Sequence, residues 1–282
     1  MMRRLALVSL FLLTCGALPA AAACTVSATA VAFANYTGAV VNVTGTITIT
    51  CSRNAVYYVG LSGGNSGSVT ARTMQYGTAK LNYGLYSNST HTINWGNTAA
   101  TNWVTGTGNG RAQTLTVYAQ LPAGQYVTPG SYTDSITVTV SGASFTTRTT
   151  TFAVTATVLK DCGVSATNMT FGNYTGAVNN VTSTVTVTCT STTTYTVGLS
   201  TGLATGATVT TRKMQNGTAL LAYALYSNST HTTNWGNTAA TNWVAGTGTG
   251  IAQPLTVYGQ AAAGQYVTPG TYTDTITATV TY

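Results

Sequence analysis

The chain has 282 residues, of which 44% are hydrophobic and only 5% are charged. Its formal net charge is +7, and about +5 remains when Arg3 and Arg4 at the start of the chain are subtracted. The remaining basic residues are scattered, with only Arg212 and Lys213 adjacent, whereas a nucleic-acid groove needs clustered cations and stacking aromatics. We therefore expect no nucleic-acid partner. Abundant β-branched and aromatic residues, with few helix-forming charged residues, predict an all-β fold.

The first residues have the order of a secretory signal peptide. Arg3 and Arg4 precede an apolar run from Leu5 to Leu18, and small residues follow up to Ala23. This order predicts export and cleavage just before Cys24, and the apolar run is too short for a mature membrane anchor. We predict a signal peptide at residues 1–23 and no transmembrane segment. A lipoprotein is the alternative, because residues 21–24 loosely resemble a lipobox.

The rest of the chain is a tandem repeat. Asn35-Tyr-Thr-Gly-Ala-Val recurs at Asn173, and Gly124-Gln-Tyr-Val-Thr-Pro-Gly recurs at Gly264, so the offset is 138 residues early and 140 residues later. This period is far too long for a solenoid unit, and each copy has the size of a single domain. We predict domain 1 at residues 24–142, a linker with a donor strand at residues 143–161, and domain 2 at residues 162–282.

Four cysteines remain after the predicted cleavage: Cys24 and Cys51 in one copy, and Cys162 and Cys189 in the other, with the same separation of 27 residues. Three pairings are possible, but the duplicated spacing favours one disulfide within each copy. Each bond would stabilise its domain by roughly 3 to 4 kcal/mol and requires an oxidising compartment such as the periplasm. No CxxC pair or His cluster accompanies the cysteines, so we expect no metal site.

Within each copy, short alternating segments are separated by Gly, Asn, Pro and Ser. From Val41 to Cys51, apolar side chains recur at every second residue, which is the period of a half-buried strand. Strands at this spacing predict an antiparallel β-sandwich in each copy. The other segments with this alternation are Leu115–Leu121, Tyr132–Val140, Val181–Cys189, Leu255–Gln260 and Tyr272–Val280.

Both copies carry a further ordered set of motifs. In copy one these are Cys24-Thr-Val-Ser-Ala-Thr, Asn35-Tyr-Thr-Gly, Cys51, Arg72-Thr-Met74, Leu81-Asn-Tyr83-Gly-Leu-Tyr86, Trp95-Gly96 and Gly130-Ser-Tyr132-Thr-Asp134. With its counterpart in copy two, this order resembles the spore coat protein U domain family, which includes subunits of archaic chaperone-usher pili. The resemblance implies two immunoglobulin-like, pilin-type sandwiches, each lacking its last strand, which a chaperone or a neighbouring subunit supplies.

The segment between the copies has the pattern of such a donor strand. Its alternating apolar residues are Phe152, Val154, Ala156 and Val158. We expect this segment to complete domain 1 within the same chain. Copy two ends at Tyr282, directly after its last alternating segment, so we expect domain 2 to lack its last strand and to accept one from a neighbouring pilin.

These expectations predict a structural or adhesive subunit of an archaic chaperone-usher pilus, in surface attachment and biofilm formation. A mature start at Cys24 would leave no N-terminal strand to donate, so we expect a position at the fibre tip. The expected partners are a periplasmic pilus chaperone, an outer-membrane usher and a neighbouring pilin, at the surface of a Gram-negative cell. The alternative is a free secreted or coat-associated structural protein whose domains are complemented within the chain.

Differences between the copies, together with the tryptophans, suggest an adhesive surface in domain 1. The candidate residues are Tyr57, Tyr58, Tyr76, Ile93, Trp95 and Trp103. Aromatic faces beside Asn and Ser donors suit a carbohydrate. However, Trp95 and Trp103 recur as Trp235 and Trp243, and this duplication favours packing inside both sandwiches.

Catalysis is not expected from the motifs. His91 with Ser89 and Asp134 has the residue types of a hydrolase triad, but the sequence lacks a nucleophile elbow and paired carboxylates. The Gly-rich segments at Gly106 and Gly246 lack the Lys-Ser/Thr continuation of a phosphate loop, so they are interpreted as hairpin turns. We expect no catalytic residue and no small-molecule cofactor.

Overall fold

The computed structural model describes residues 23–98 and 101–282. The predicted signal peptide therefore lies outside the described residues, apart from Ala23. Within the described ranges the chain forms eighteen β-strands and one 3-10 turn at Gly64–Ser66. No helix in these ranges is long and apolar enough to cross a membrane. The all-β prediction is confirmed.

The ten strands of domain 1 form one continuous hydrogen-bonded sheet around one core. The strand order is β1-β3-β8-β6-β5-β9-β10-β2, in which β5 pairs with β6, and β4 pairs with both β7 and β9. The strands are β1 Cys24–Ala28, β2 Val31–Tyr36, β3 Val41–Cys51, β4 Val56–Leu61, β5 Arg72–Tyr76, β6 Ala79–Tyr86, β7 Val104–Thr107, β8 Ala112–Leu121, β9 Gly130–Gly142 and β10 Phe145–Val158. In β3, Ile47, Ile49 and Cys51 are buried and the threonines between them are half-buried, as period two requires.

β10 lies between β9 and β2. A turn at residues 143–144 joins it to β9, with which it pairs antiparallel, and on its other side it runs parallel to β2. Its inward side chains are at most 5% exposed; they are Phe152, Val154, Ala156 and Val158. The structure thus places most of the segment predicted as a linker and donor strand inside the sheet of domain 1.

Domain 2 repeats this arrangement with fewer strands. They are β11 Cys162–Ala166, β12 Asn179–Cys189, β13 Thr194–Leu199, β14 Arg212–Asn216, β15 Ala219–Tyr226, β16 Val244–Thr247, β17 Gln253–Ala261 and β18 Ala278–Thr281. Their orders are β11-β12-β17-β15-β14 and β16-β13-β18. The predicted strand Tyr272–Val280 forms only from Ala278 onward. Upstream of it, the segment keeps the bridge between Gln215 and Thr273, the counterpart of the single Gln75–Thr133 pair between β5 and β9. It forms no longer ladder there, because no described strand lies beside this segment in the way that β10 lies beside β9.

One disulfide closes each domain. Cys24 bonds Cys51 and ties β1 to β3, while Cys162 bonds Cys189 and ties β11 to β12. In each pair the two cysteines lie directly opposite in an antiparallel register. The duplicated spacing of 27 residues therefore reflects one repeated strand pair.

Candidate functional site

An open groove in domain 2 occupies the place that β10 fills in domain 1. Its volume is about 500 Å³. The lining residues include Met169, Phe171, Met214, Tyr223, Tyr272 and Ile276, and we call this site the domain 2 groove. Among the described residues no strand enters it.

One wall of the groove is the segment 169–174, which has the same place in the repeat as β2. In domain 1, the hydrogen-bonded neighbour of β2 is β10. In domain 2 the segment forms no strand, and the carbonyl of Phe171 accepts a hydrogen bond from the side chain of Asn179. Because β-structure needs a partner strand for its backbone donors and acceptors, the missing ladder accounts for the lost strand.

The opposite wall is the segment 272–277, the counterpart of the first half of β9. Tyr132 and Ile136 in β9 are fully buried, whereas Tyr272 and Ile276 at the same repeat positions are half-buried. Apolar side chains that β10 covers in domain 1 thus face the open groove in domain 2. An apolar strip beside an unpaired backbone edge is the surface on which an added strand binds.

The floor of the groove is a fixed polar network. The Tyr223 hydroxyl donates to Asp274 Oδ2 at 2.7 Å, and Asp274 Oδ1 accepts from the backbone N–H of Leu203 at 2.9 Å. Beside it the buried Arg212 guanidinium donates to backbone carbonyls, among them that of Trp235 at 2.7 Å. Burial lowers the pKa of Arg212 to about 10, against the opposing effect of Tyr223 and Asp274. Burial, followed by the hydrogen bond to Asp274, raises the pKa of Tyr223, so this phenol stays protonated and donates.

Domain 1 contains the same network, with Tyr83 donating to Asp134 Oδ2 at 2.6 Å and Arg72 donating to the Trp95 carbonyl at 2.6 Å. The two domains therefore share their interior polar structure, and the difference is concentrated along the missing strand.

Sequence comparison agrees with the repeat. A match to the Spore Coat Protein U domain covers residues 9–139 and 148–279. The chain belongs to this family. Protein U of Myxococcus xanthus is 42% identical over 78 residues, a segment that makes up 27% of this chain and 43% of that protein. The match therefore spans less than half the length of this curated relative.

The fold is also similar to a solved structure. It resembles a chain in the crystal structure of the CsuC–CsuE chaperone–tip adhesion subunit pre-assembly complex from archaic chaperone-usher Csu pili of Acinetobacter baumannii, with a TM-score of 0.54. The two chains are 19% identical, and the similarity covers 92% of this chain and 100% of the other. At this identity the similarity shows a common fold.

Two of the six candidate adhesive residues lie in the core of the first spore coat protein U domain. Tyr57 is 2% exposed, and Trp95 is 1% exposed with its indole N–H donating to the Val59 carbonyl at 2.9 Å. Their prediction as surface residues is wrong, because the inward positions of β4 include Tyr57 and Val59, and the Trp95 indole is fixed to this strand. Trp235 repeats the arrangement by donating to Val197.

The other four candidates are more accessible. Tyr58 is 37% exposed and its ring centroid lies 5.6 Å from that of the half-buried Trp103. Tyr76 is 47% exposed and packs near Tyr132, while Ile93 is 55% exposed in the loop after β6. An adhesive role for these four residues remains a hypothesis.

The structure does not bring the residues of the considered triad together. His91 packs edge-on against the rings of Tyr86 and Tyr118. The carboxylate of Asp134 instead accepts hydrogen bonds from the Tyr83 hydroxyl and from the backbone N–H groups of Asn65 and Ser135. In this spore coat protein U domain both groups therefore have structural partners.

Proposed function

We propose that the chain is an adhesive structural subunit of an archaic chaperone-usher pilus, positioned at the fibre tip and acting in surface attachment and biofilm formation. The observation that carries the proposal is a difference between the two domains: β10 completes domain 1, whereas the same place in domain 2 is an open groove. Family membership and the fold shared with a chain of the CsuC–CsuE complex support it.

The groove suggests how a partner would bind. A donor strand would run antiparallel to residues 272–277 and parallel to residues 169–174, as β10 runs between β9 and β2. Its backbone would pair with both edges, and alternate apolar side chains would cover Tyr272 and Ile276. We propose that a periplasmic chaperone supplies this strand before assembly, and that a neighbouring pilin replaces it at the outer-membrane usher.

The completion of domain 1 by its own chain supports the proposed position at the fibre tip. With Phe152 and Val154 of β10 buried in its core, domain 1 has this place filled by its own chain and would need no donor strand there from another subunit. The described part of the chain then presents an acceptor groove in domain 2 and a completed domain 1 that can face outward. The disulfides and the predicted signal peptide support assembly through the periplasm of a Gram-negative cell.

The alternative, a free structural protein complemented entirely within its own chain, requires an internal strand for each domain. In the described residues such a strand is present in domain 1, whereas the domain 2 groove holds none. This difference favours the pilus subunit.

A donor-peptide experiment tests the proposal. A synthetic peptide with the sequence of residues 145–158 is added to the full mature chain, and thermal unfolding of domain 2 is followed. We expect stabilisation that grows with peptide concentration, by about 2.7 kcal/mol at one hundred times the dissociation constant. The matched control peptide carries Phe152→Asp and Val154→Asp, which place carboxylates where apolar side chains must enter.

Co-expression with the cognate chaperone is the second part of the test. We expect a chain–chaperone complex, from which the peptide displaces the chaperone. A full chain that is monomeric and equally stable with and without chaperone or peptide would overturn the proposal. In cells that assemble fibres, an antibody against domain 1 should label fibre ends, and labelling along the fibre length would contradict the tip position.

A further inference from the structure

Domain 1 contacts domain 2 through the loop between β8 and β9. The carbonyl of Tyr126 accepts a hydrogen bond from the backbone N–H of Ser191 at 2.9 Å. The same carbonyl lies against Gly250, where an added Cβ would come within 2.8 Å of it. On the other side, the Tyr126 ring lies against Gly38, which the carboxylate of Asp161 also approaches. We call residues 124–128 the Tyr126 loop, and Ser191 with Gly250 the receiving turns.

Domain 2 carries the same loop, Gly-Gln-Tyr-Val-Thr at residues 264–268, which we call the Tyr266 loop. The hydrogen bonds that attach it to the rest of domain 2 repeat those of the Tyr126 loop. Gly264 donates to the Gly176 carbonyl at 2.9 Å, as Gly124 donates to Gly38 at 2.8 Å. The Gln265 side chain donates to the Ala222 carbonyl at 2.9 Å, and the Gln125 side chain makes the equivalent bond to Asn82 at 2.9 Å. The loop thus holds one conformation with or without a neighbouring domain.

The surroundings of the two loops differ. Tyr126 is half-buried at the junction, whereas Tyr266 is 97% exposed. A Cβ placed on Gly38 would contact the Tyr126 ring and Asp161, but one placed on Gly176 would have no atom within 4 Å. A tyrosine on a preformed loop buries a large amphipathic surface with little loss of conformational freedom, which is why tyrosines are enriched at interfaces.

The short connection between the two domains indicates where the domain of a neighbouring subunit would lie. Only residues 159–161 separate the end of β10 from β11. Because this connection is short, the strand that completes domain 1 places domain 2 beside the Tyr126 loop. A donor strand that fills the domain 2 groove in the same register would deliver its own domain to the Tyr266 loop in the same way.

We propose that the Tyr266 loop is a second contact site for the neighbouring subunit, which repeats across the subunit boundary the contact that Tyr126 makes within the chain. The inference rests on the proposed function, because a donor strand must bring the neighbour there. The partner is a domain of this family whose receiving turns present an unpaired backbone N–H, a small residue at the position of Ser191 and a glycine at the position of Gly250.

The receiving turns of the chain's own domain 1 do not fit this description. Arg53 occupies the place of Ser191, and Arg111 occupies the place of Ile251 beside the glycine. Both arginines are exposed, so two long cationic side chains flank the turn. This difference disfavours head-to-tail stacking of identical chains, which would otherwise produce open-ended filaments of this subunit alone. The neighbour is therefore a different chain.

Tyrosine nitration followed by mass spectrometry tests the contact. The probe is applied to the mature chain alone, to the chain saturated with the peptide of residues 145–158, and to fibres sheared from cells. The peptide fills the groove but brings no neighbouring domain. We expect Tyr266 to react equally in the first two samples and several-fold less in fibres, while Tyr126 reacts to the same extent in all three.

Each other outcome overturns a distinct statement. If the chain is present in the fibres and Tyr266 reacts as in the peptide complex, this inference is wrong and the proposed function stands. If the chain is absent from the fibres, both fail. If Tyr266 becomes protected in the isolated chain as its concentration rises, the partner is a second copy and the assignment to a different chain is wrong.

A substitution pair provides the matched control. Tyr266→Ala should leave peptide binding and the unfolding curve unchanged, because the side chain is 97% exposed, but should increase the release of the chain from fibres under shear. Tyr126→Ala should instead widen the distribution of domain 1–domain 2 distances in small-angle X-ray scattering of the isolated chain. Unchanged retention of the Tyr266→Ala chain in fibres would contradict the contact.

Discussion

The same sequence motif forms different structures in the two domains. Gly130–Gly142 is a continuous strand of 13 residues, whereas its counterpart is a strand only over the four residues Ala278–Thr281. The local turn is the same in both, since the hydroxyls of Tyr132 and Tyr272 each donate to the carbonyl four residues earlier at 2.7 Å. The difference begins where β10 pairs with β9. Strand formation in this family member therefore depends on the neighbouring strand as much as on the residues of the strand itself.

We expect the largest effect on stability from disrupting β10, which would make domain 1 resemble domain 2. Val154 is fully buried, so Val154→Asp would place a carboxylate in an apolar core and should cost roughly 3 to 5 kcal/mol of domain 1 stability. Amide hydrogen exchange should then increase in β2 and in the first half of β9, because both pair with β10. Chemical unfolding of the full chain, with the domain 2 transition as internal reference, measures the loss.

Ala153→Asp is the matched control for this substitution. The side chain of Ala153 is exposed on the opposite face of β10, so the same charge should cost less than about 1 kcal/mol. Equal destabilisation by the two variants would show that burial of β10 is not what stabilises domain 1.

The sequence was sufficient for features that depend on local alternation and on duplication. The alternation from Val41 to Cys51 coincides with β3, and the repeated spacing identified both disulfides. Alternation could also have excluded Tyr57 from the adhesive set, since Tyr57 and Tyr58 are adjacent in β4 and must point to opposite faces.

Other features depend on what lies beside a segment, which its own sequence does not encode. Residues 272–277 have the alternation of β9 but lack its partner strand, so pattern alone predicted too long a strand. Likewise, Tyr126 and Tyr266 lie in identical five-residue loops, and only the neighbouring domain makes one half-buried and the other exposed.

Removing the disulfides should have an intermediate effect that tests whether the two domains are otherwise equivalent. Both bonds close loops with a separation of 27 residues, so the chain-entropy model gives the same loss of about 3.5 kcal/mol for each. One variant carries both Cys24→Ala and Cys51→Ala, and the other carries both Cys162→Ala and Cys189→Ala. The two variants are compared by guanidinium unfolding.

We expect equal losses in free energy but unequal consequences. Domain 2 has apolar surface open to solvent in the groove. We therefore expect domain 2 without its disulfide to be mostly unfolded under conditions where domain 1 without its disulfide stays folded. The peptide of residues 145–158 should restore it. A domain 2 variant that stays as stable as the domain 1 variant without peptide would show that the open groove costs little.

The smallest expected effect concerns the tyrosine at the start of β9. Burial, with a contribution from nearby Tyr76, raises the pKa of Tyr132 to about 12. A pKa above the ordinary value of about 10 means that the folded state favours the protonated phenol. Its stabilising contribution is therefore complete below pH 10 and is lost as the pH rises from 10 through 12. Burial raises the pKa of Tyr83 as well, so the domain 1 transition should fall steeply in this range.

Tyr132→Phe separates the titration from the packing. At neutral pH the variant should lose about 1 kcal/mol with the hydrogen bond to Thr128, and between pH 10 and 12 its stability should fall less steeply than that of the unmodified chain. Tyr272→Phe is the control in domain 2, where the equivalent hydrogen bond is solvent-exposed and its loss should cost less. Adding the donor peptide should raise the loss in free energy of unfolding caused by Tyr272→Phe toward the loss caused by Tyr132→Phe. If the peptide leaves that cost unchanged, the strand it adds does not cover Tyr272 in the way that β10 covers Tyr132.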